Sequence, residues 1–589
     1  MIKINITFFL LSLLPASLLA ENISSDHPSP YVRLHVNDAV KWQRWDSSVL
    51  ERARKENKLI MISSGYFACH WCHVMRKESF TDEAVANVLN NQFIPVKIDR
   101  EENPSVDTYL MNFMQHTQGY GGWPLNVFIT PQGYPLTGLV YLPKEKFIEI
   151  AAGLNKKWIK DRANFEGIAR RAFEYTEKLN KSIVSISDEE LVNNLMLAVA
   201  ENADELEGGF GQQLKFPKPH LIMSLLNIYE VKKDIVSMEF LELTLEQMLN
   251  KGLHDAIGGG FFRYTVDQSW NTPHFEKMLY TNAAMIKLYV KAYQLFGDKK
   301  WLQVAEETME FVIREMDREE GGYVSTLNAQ DAAEEEGGNY LWLQENLLKK
   351  LNAKEISWVE KNMEIKPVTE TEKVLPLGFM YGEEARIIRK KWLSKRIENA
   401  PVKDDKLIVS WNAYLLSAMA DLIRVSKKIE YVEAAQVQYQ LLKNKAKSGL
   451  LRGANAHPQK YIEDYAFTAS ALWEWGQVSG VSSDEVLIRS LLTETVELFV
   501  TEHGWRESDE PILPMPGEQR NIKDGNLPSA EVEVLKMFRQ LKQNKLKSRE
   551  KLNAVMDGVD QRIVVNPEEY ASYISARYRG ELLEGGLKP

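Results

Sequence analysis

The chain holds two cysteines, Cys69 and Cys72, and both fall within Cys69-His70-Trp71-Cys72-His73. A disulfide between them closes almost no loop, so it restricts the unfolded chain little, and a chemical role accounts for the pair better than stapling. Three chemistries share the pattern. A disulfide-exchanging dithiol needs a strand that delivers the motif to a helix start, where amide dipoles favour a thiolate on the first sulfur. A c-type haem attachment also reads C-x-x-C-H, with His73 as axial ligand on a helix and a distant Met or His opposite. Zinc would take both sulfurs with His70 or His73, and it needs further ligands at a distance, where His116 is the one nearby candidate.

The flanking elements favour the dithiol. Leu59-Ile60-Met61-Ile62-Ser63-Ser64 has the pattern of a short buried strand, Gly65 to Ala68 of a turn, and Val74 to Asn90 of a helix that Ser79, Thr81 and Asp82 can break. A second buried strand follows at Phe93 to Asp99. A thioredoxin fold sets a cis-proline against the dithiol just before a strand, and Trp123-Pro124 runs directly into the apolar stretch Leu125 to Thr130, so the Trp123-Pro124 bond is expected to be cis. In this reading Cys69 is the exposed nucleophile and Cys72 the buried resolving thiol. Trp71 stacks on a substrate or covers the disulfide. A protonated His70 would stabilise the Cys69 thiolate and make the pair oxidising.

Four spaced blocks carry a resemblance: His27-Pro28-Ser29-Pro30-Tyr31-Val32-Arg33-Leu34-His35, Trp42-Gln43-Arg44-Trp45, Cys69 to Met75, and Gly121-Gly122-Trp123-Pro124. Together they resemble the family of thioredoxin-domain proteins that includes the mammalian spermatogenesis-associated protein and its bacterial relatives. The resemblance implies a multidomain chain: an α/β thioredoxin-like N-terminal domain, then an all-α (α/α)6 barrel similar to those of six-hairpin glycosidases and sugar epimerases. The expected boundaries are a signal peptide over 1–20, the thioredoxin-like domain over 21–180 and the barrel over 187–589.

From Ser187 onward the pattern is helix after helix, punctuated by glycine turns at Gly208-Gly209, Gly258-Gly259-Gly260, Gly321-Gly322, Gly449 and Gly504. Successive intervals are roughly 50 to 65 residues, with one double gap between the third and fourth turns where a sixth would belong. Six helical hairpins can close into a barrel whose entry loops converge on one mouth, so functional side chains belong just after each turn. The candidates there are Arg263, Tyr264, His274, Glu276, Asp404, Asp405, Trp411, Asn412, Glu463 and Asp464, with Trp71 and Trp123 as further substrate contacts. Aromatic faces, carboxylates and amides gathered at one mouth suit a polyol or glycan. Relatives commonly carry an acidic D-A-D segment where this chain has Asn328-Ala329-Gln330; amides cannot move a catalytic proton, so binding rather than turnover is expected in the barrel. Ser325, Thr326 and the run Asp331 to Glu336 read as a mobile polar loop, and Glu334-Glu335-Glu336 as a solvated charge run.

A formal charge of -10 and a pI near 5.7 argue against nucleic acid as a partner. Met1 to Ala20 carries Lys3, an apolar run from Phe8 to Leu14, then Pro15 and small residues, the pattern of a secretory signal. After its cleavage no integral membrane segment is expected, and the protein is secreted or periplasmic. The expected function is an exported thiol-disulfide oxidoreductase with catalytic Cys69, Cys72, His70 and Pro124, an unknown redox partner protein, a barrel that binds a glycan, glycoprotein or other protein substrate, and neither cofactor nor metal. The alternative is a carbohydrate-active or epimerase-like barrel enzyme with a regulatory dithiol.

Overall fold

The computed structural model describes residues 22–582 apart from 181, 350, 369–371, 397–399, 451–458, 481–483, 516–518, 520, 543–545 and 557; the expected signal peptide lies outside the described residues. Strand β1 (Leu59–Gly65) pairs in parallel with β2 (Phe93–Asp99), and both are buried along their whole length. On its other side β1 meets β3 (Leu125–Ile129) antiparallel, and β3 meets β4 (Pro135–Leu139), giving the order β2-β1-β3-β4. A sheet buried on both faces favours apolar residues on both, and over Leu59 to Ile62 β1 alternates them between two cores. Leu59 and Met61 join Trp42, Phe80, Phe147 and Trp158 on one face, while Ile60 and Ile62 join Val96, Leu110 and Met114 on the other. The helix expected after the dithiol is interrupted as its polar residues suggest. His70–Met75 passes into a π turn over Arg76–Phe80, and a new helix, Glu83–Gln92, begins where the Asp82 carboxylate accepts the Ala84 and Val85 N–H groups. The helix Arg162–Asn180 ends this body, and Ser187 caps the first helix of the next.

Among the described residues, six helices form a closed inner ring: Pro219–Lys232, Leu279–Phe296, Val409–Ser426, Ile462–Ser479, Ala530–Gln540 and Ala571–Tyr578, each packed on the next and the last on the first. Asp188–Asn202, Ile235–Asn250, Lys299–Glu315, Ile429–Ser448 and Glu485–Phe499 pack outside the ring, with Leu546–Met556 against Glu485–Phe499. This is the expected (α/α)6 barrel. The sixth turn is not in the wide gap. It is Gly558, at φ +80°, a single glycine before the last inner helix. The gap is filled instead by an insertion with its own three-stranded sheet (Trp342–Leu343, Glu364–Pro367, Lys373–Leu377) and its own core around Leu347, Val359, Ile388 and Trp392. No helix of the described residues is long and apolar enough to cross a membrane.

Inner helices begin with residues that tie the glycine turns down. Asn282 and Asn412 are each the fourth residue of an inner helix. Asn282 accepts the Phe261 N–H at 2.8 Å and donates back to its carbonyl at 3.1 Å; Asn412 does the same for Tyr323 at 2.9 and 3.1 Å. Each amide therefore completes a buried turn that would otherwise leave backbone groups unpaired.

Candidate dithiol site at the domain interface

Cys69 is the N-cap of His70–Met75, and its Sγ accepts the Cys72 N–H at 3.2 Å. The two sulfurs are joined as a disulfide. The chain enters this turn from Gly65, the last residue of β1, where a side chain has no room: a Cβ would lie 2.7 Å from Cys72 Sγ and closer still to Tyr31 Oη. Gly65→Ala is therefore expected to destabilise the domain by about 1–3 kcal/mol through overpacking, read as a lowered urea midpoint. The Trp123-Pro124 bond is cis, the isomer that a thioredoxin fold sets against the dithiol. Because Ser64 pairs with Leu125, the register sets Pro124 beside Gly65 and so beside the dithiol turn.

Cys69 differs from its expected exposure. It is 4% exposed and Cys72 1%, whereas Trp71 between them is 48% exposed and rests against Tyr141 at 5.0 Å. The barrel mouth supplies part of the cover. The Tyr66 hydroxyl, one residue past Gly65, donates to Glu276 Oε1 at 3.0 Å, and Arg263 bonds Glu276 Oε1 at 3.0 Å, the Tyr280 hydroxyl at 3.1 Å and the Tyr66 hydroxyl. His274 Nδ1 lies 3.3 Å from the same carboxylate oxygen, and the Tyr264 ring stacks on the His274 ring at 5.0 Å. Across the interface the His70 and His274 rings face each other at 6.4 Å, with the Glu336 carboxylate 3.6 Å from His70 and 3.8 Å from His274. Trp123 donates to Asp107 at 3.0 Å and carries the Arg100 guanidinium 4.0 Å from its ring centre.

These neighbours divide the charges. Burial pushes the Glu276 carboxyl up, but Arg263 and His274 outweigh it and hold the group down at about 2. Burial pulls the His274 imidazole down, and Glu276 with Glu336 more than reverses this, so His274 titrates above its ordinary value. His70 moves the other way: burial lowers it, Glu336 opposes, and His274 adds to the fall. In the disulfide form His70 thus lies below its ordinary value, which does not favour the protonated imidazole on which an oxidising potential would rest. His73 Nε2 is occupied by the Phe67 carbonyl at 2.7 Å.

A second interdomain contact holds the bodies together. Lys406 reaches from the barrel to Asp99, to Glu101 at 2.9 Å and to Asp404 at 2.9 Å, all buried, and the Tyr461 hydroxyl donates to the Glu102 carbonyl at 3.1 Å. Burial and neighbouring carboxylates raise Glu102 to about 8; burial, Glu101 and Asp99 raise Asp404 to about 7 against the pull of Lys406. A carboxyl raised in the folded protein holds a proton that the unfolded chain gives up, so its stabilisation is full below its ordinary pKa and is lost as pH rises through 7 to 8. The thermal midpoint should accordingly be higher at pH 6 than at pH 8.5, and Glu102→Gln should shrink that difference.

Of the expected barrel residues, Arg263 and Glu276 meet Tyr66, His274 faces His70 and Tyr264 stacks on His274, all beside the dithiol turn, and the others lie elsewhere. Asp404 belongs to the Lys406 cluster rather than to a solvated turn. Trp411 is core, edge-on to Tyr280 at 4.8 Å, Asn412 ties a turn, and Asp464 accepts the Ser410 N–H at 2.9 Å. Asp405 is exposed and Glu463 half-buried, close enough to Glu507 to raise its carboxyl. The loop expected to be mobile is ordered: Ser325 and Thr326 are buried, and Asp331 accepts the Ala333 and Glu335 N–H groups. Tyr66, Arg100, Asp107 and Glu336 belong to the site without having been expected there. A cavity of about 720 Å³ lies between the domains, lined by Tyr109, Phe113, Phe173 and Lys523, and none of the expected site residues borders it.

A family model described as Thioredox_DsbH, protein of unknown function, DUF255, matches residues 21–178. Beyond it, the chain is 28% identical to spermatogenesis-associated protein 20 of Rattus norvegicus, over 88% of this chain and 75% of that protein. It is 29% identical to the Homo sapiens protein, over 85% and 73%. The family resemblance read from the four blocks therefore holds for this chain. Among solved structures, cellobiose 2-epimerase from Spirochaeta thermophila aligns with a TM-score of 0.43 at 15% identity, over 67% of this chain and 95% of its own. A structure titled DsbH oxidoreductase aligns with a TM-score of 0.17 at 17% identity, over 20% and 85%.

Proposed function

We propose that the protein is an exported thiol-disulfide oxidoreductase whose barrel mouth positions the substrate of the dithiol. The observation that carries this is the placement of the Cys69–Cys72 disulfide at a helix start, beside cis-Pro124, with Cys72 N–H directed at Cys69 Sγ. A substrate thiolate attacks Cys69 Sγ, the Cys69–Cys72 bond breaks, and Cys72 leaves with the electron pair, giving a mixed disulfide on Cys69. A second substrate thiolate then attacks the substrate sulfur of that mixed disulfide. It releases a substrate disulfide and leaves the Cys69–Cys72 dithiol, so two electrons pass from two thiols to the protein. The amide directed at Cys69 favours its thiolate form in the reverse direction. Export rests on the signal pattern of Met1 to Ala20.

The barrel residues beside the dithiol support positioning rather than carbohydrate turnover. Glu276 is held ionised by Arg263 and His274 and is bonded by Tyr66, so it has no free proton to give, and Asn328 and Gln330 are amides. The test is equilibration of the protein with glutathione redox buffers, followed by alkylation and mass measurement. Reversible two-electron reduction of the pair supports the reading. Because burial and His274 lower the His70 imidazole, His70→Asn should leave the potential within about 15 mV of wild type at pH 7, which is half of a tenfold change in equilibrium on the logarithmic scale. A disulfide that glutathione and dithiothreitol leave intact in the folded protein would overturn the exchange reading.

A further inference from the structure

The motif His27-Pro28-Ser29-Pro30-Tyr31 has no part in the exchange as described so far. It opens a short helix, Pro30–Leu34, capped by Ser29, whose hydroxyl accepts the Val32 N–H at 3.1 Å and donates to Asp99 at 2.6 Å. The cap fixes Tyr31 beneath the dithiol turn. Tyr31 is 1% exposed, and its Oη and Cys72 Sγ both border the point that a Cβ on Gly65 would occupy, which sets the hydroxyl in the neighbourhood of that sulfur. Yet the hydroxyl has no hydrogen-bond partner among the described residues. The charged groups near it are engaged elsewhere: Asp99 with Ser29 and Lys406, Asp38 with His35, Trp42 and Arg76, Asp107 with Ser64 and Trp123, and Lys97 with Ser63. The His35 ring meets the Tyr31 ring edge-on at 5.1 Å, and the Lys97 ammonium lies 5.0 Å from the Tyr31 ring centre.

A buried hydroxyl left unpaired is unfavourable, and a hydrogen bond from it to a charged acceptor is among the stronger ones. Sγ of a disulfide is a poor acceptor; Sγ of a thiolate is a good one. We infer that the Tyr31 hydroxyl is the hydrogen-bond donor that receives the Cys72 thiolate when the Cys69–Cys72 bond opens. The inference rests on the exchange reading. When a substrate thiolate forms its bond to Cys69 Sγ, the electron pair of the broken bond goes to Cys72 Sγ, and Tyr31 O–H donates to that sulfur. The donor stabilises the open form and, unpaired, disfavours the closed one, so both effects favour reduction.

Tyr31→Phe removes the hydroxyl and little else. The variant is expected to shift the glutathione equilibrium about tenfold toward the disulfide, a potential about 30 mV more negative, and to slow opening by dithiothreitol by a similar factor. In a Cys69→Ala background, where Cys72 is the sole thiol, Tyr31→Phe should raise the pH at which Cys72 is alkylated at half its maximal rate by about one unit. That titration needs no exchange activity, so it tests the hydroxyl even if the couple proves inert. Incorporating 3-fluorotyrosine at position 31, a stronger donor of nearly the same shape, should move the Cys72 titration in the opposite direction and covers a Tyr31→Phe protein that fails to fold. An unchanged Cys72 titration in Tyr31→Phe, or a 3-fluorotyrosine protein that shifts the same way as Tyr31→Phe, would overturn the assignment.

Discussion

Lys406→Met is expected to lower stability by about 3–5 kcal/mol at pH 8, because it removes the one cation bonded to three buried carboxylates. The methylene stem of methionine fills the space of the lysine, so packing changes little and the loss is electrostatic. Asp99 and Glu101 come from the thioredoxin-like domain and Asp404 from the barrel, so without the ammonium the two bodies face each other with like charges. Asp99 keeps the Ser29 hydroxyl as a donor, whereas the buried carboxylate of Glu101 loses the Lys406 ammonium that lies 2.9 Å from it. The defect should be smaller at pH 5.5, where Asp404 and Glu102 hold protons, than at pH 8. Urea unfolding at the two pH values measures it. A loss that does not depend on pH would mean that Lys406 acts through packing.

Cys69→Ser is expected to reduce disulfide exchange to the uncatalysed background, and the reason is positional. Cys69 is the sulfur to which a helix-start amide points, whereas the Cys72 sulfur lies against Gly65. A serine hydroxyl at 69 does not ionise near neutral pH and forms no disulfide, so the pair can no longer cycle between dithiol and disulfide. Reduction of a model protein disulfide by the variant, started with the dithiol form of wild type as reference, measures the loss. Retained exchange would place the attacking sulfur at Cys72.

The dithiol was legible because each of its signals is local: the spacing of Cys69 and Cys72, the apolar run before them and the Trp123-Pro124 step into a strand are each read within a few residues. The cover over the dithiol was not. Tyr66 and Glu276 are 210 residues apart in sequence, and nothing near Gly65 announces that a barrel carboxylate will meet the next side chain. Glu336 sat in a charge run that reads as solvated face, yet it lies 3.6 Å from His70, a neighbour far away in sequence. The rule that residues after a glycine turn line the mouth held for Arg263 and His274 but misplaced Trp411, Asn412 and Asp464. In a ring of helices the same positions must also pair the turn's own backbone, and a buried amide such as Asn412 serves that need first. The sixth turn was missed because Gly558 stands alone, without the paired glycines of the first three, and because the insertion lengthened the gap where symmetry suggested it.

The most direct test of the account is to trap the intermediate that it requires. Purified Cys72→Ser protein, which keeps Cys69 as its sole thiol, is incubated with oxidised glutathione and with a protein carrying a single accessible disulfide, then examined by intact-mass spectrometry with and without dithiothreitol. The account predicts a reducible adduct of one partner on Cys69 that persists because no second sulfur can resolve it, while wild type under the same conditions accumulates none. Failure of Cys69 to form any adduct in the folded variant, with adduct appearing only after denaturation, would contradict it.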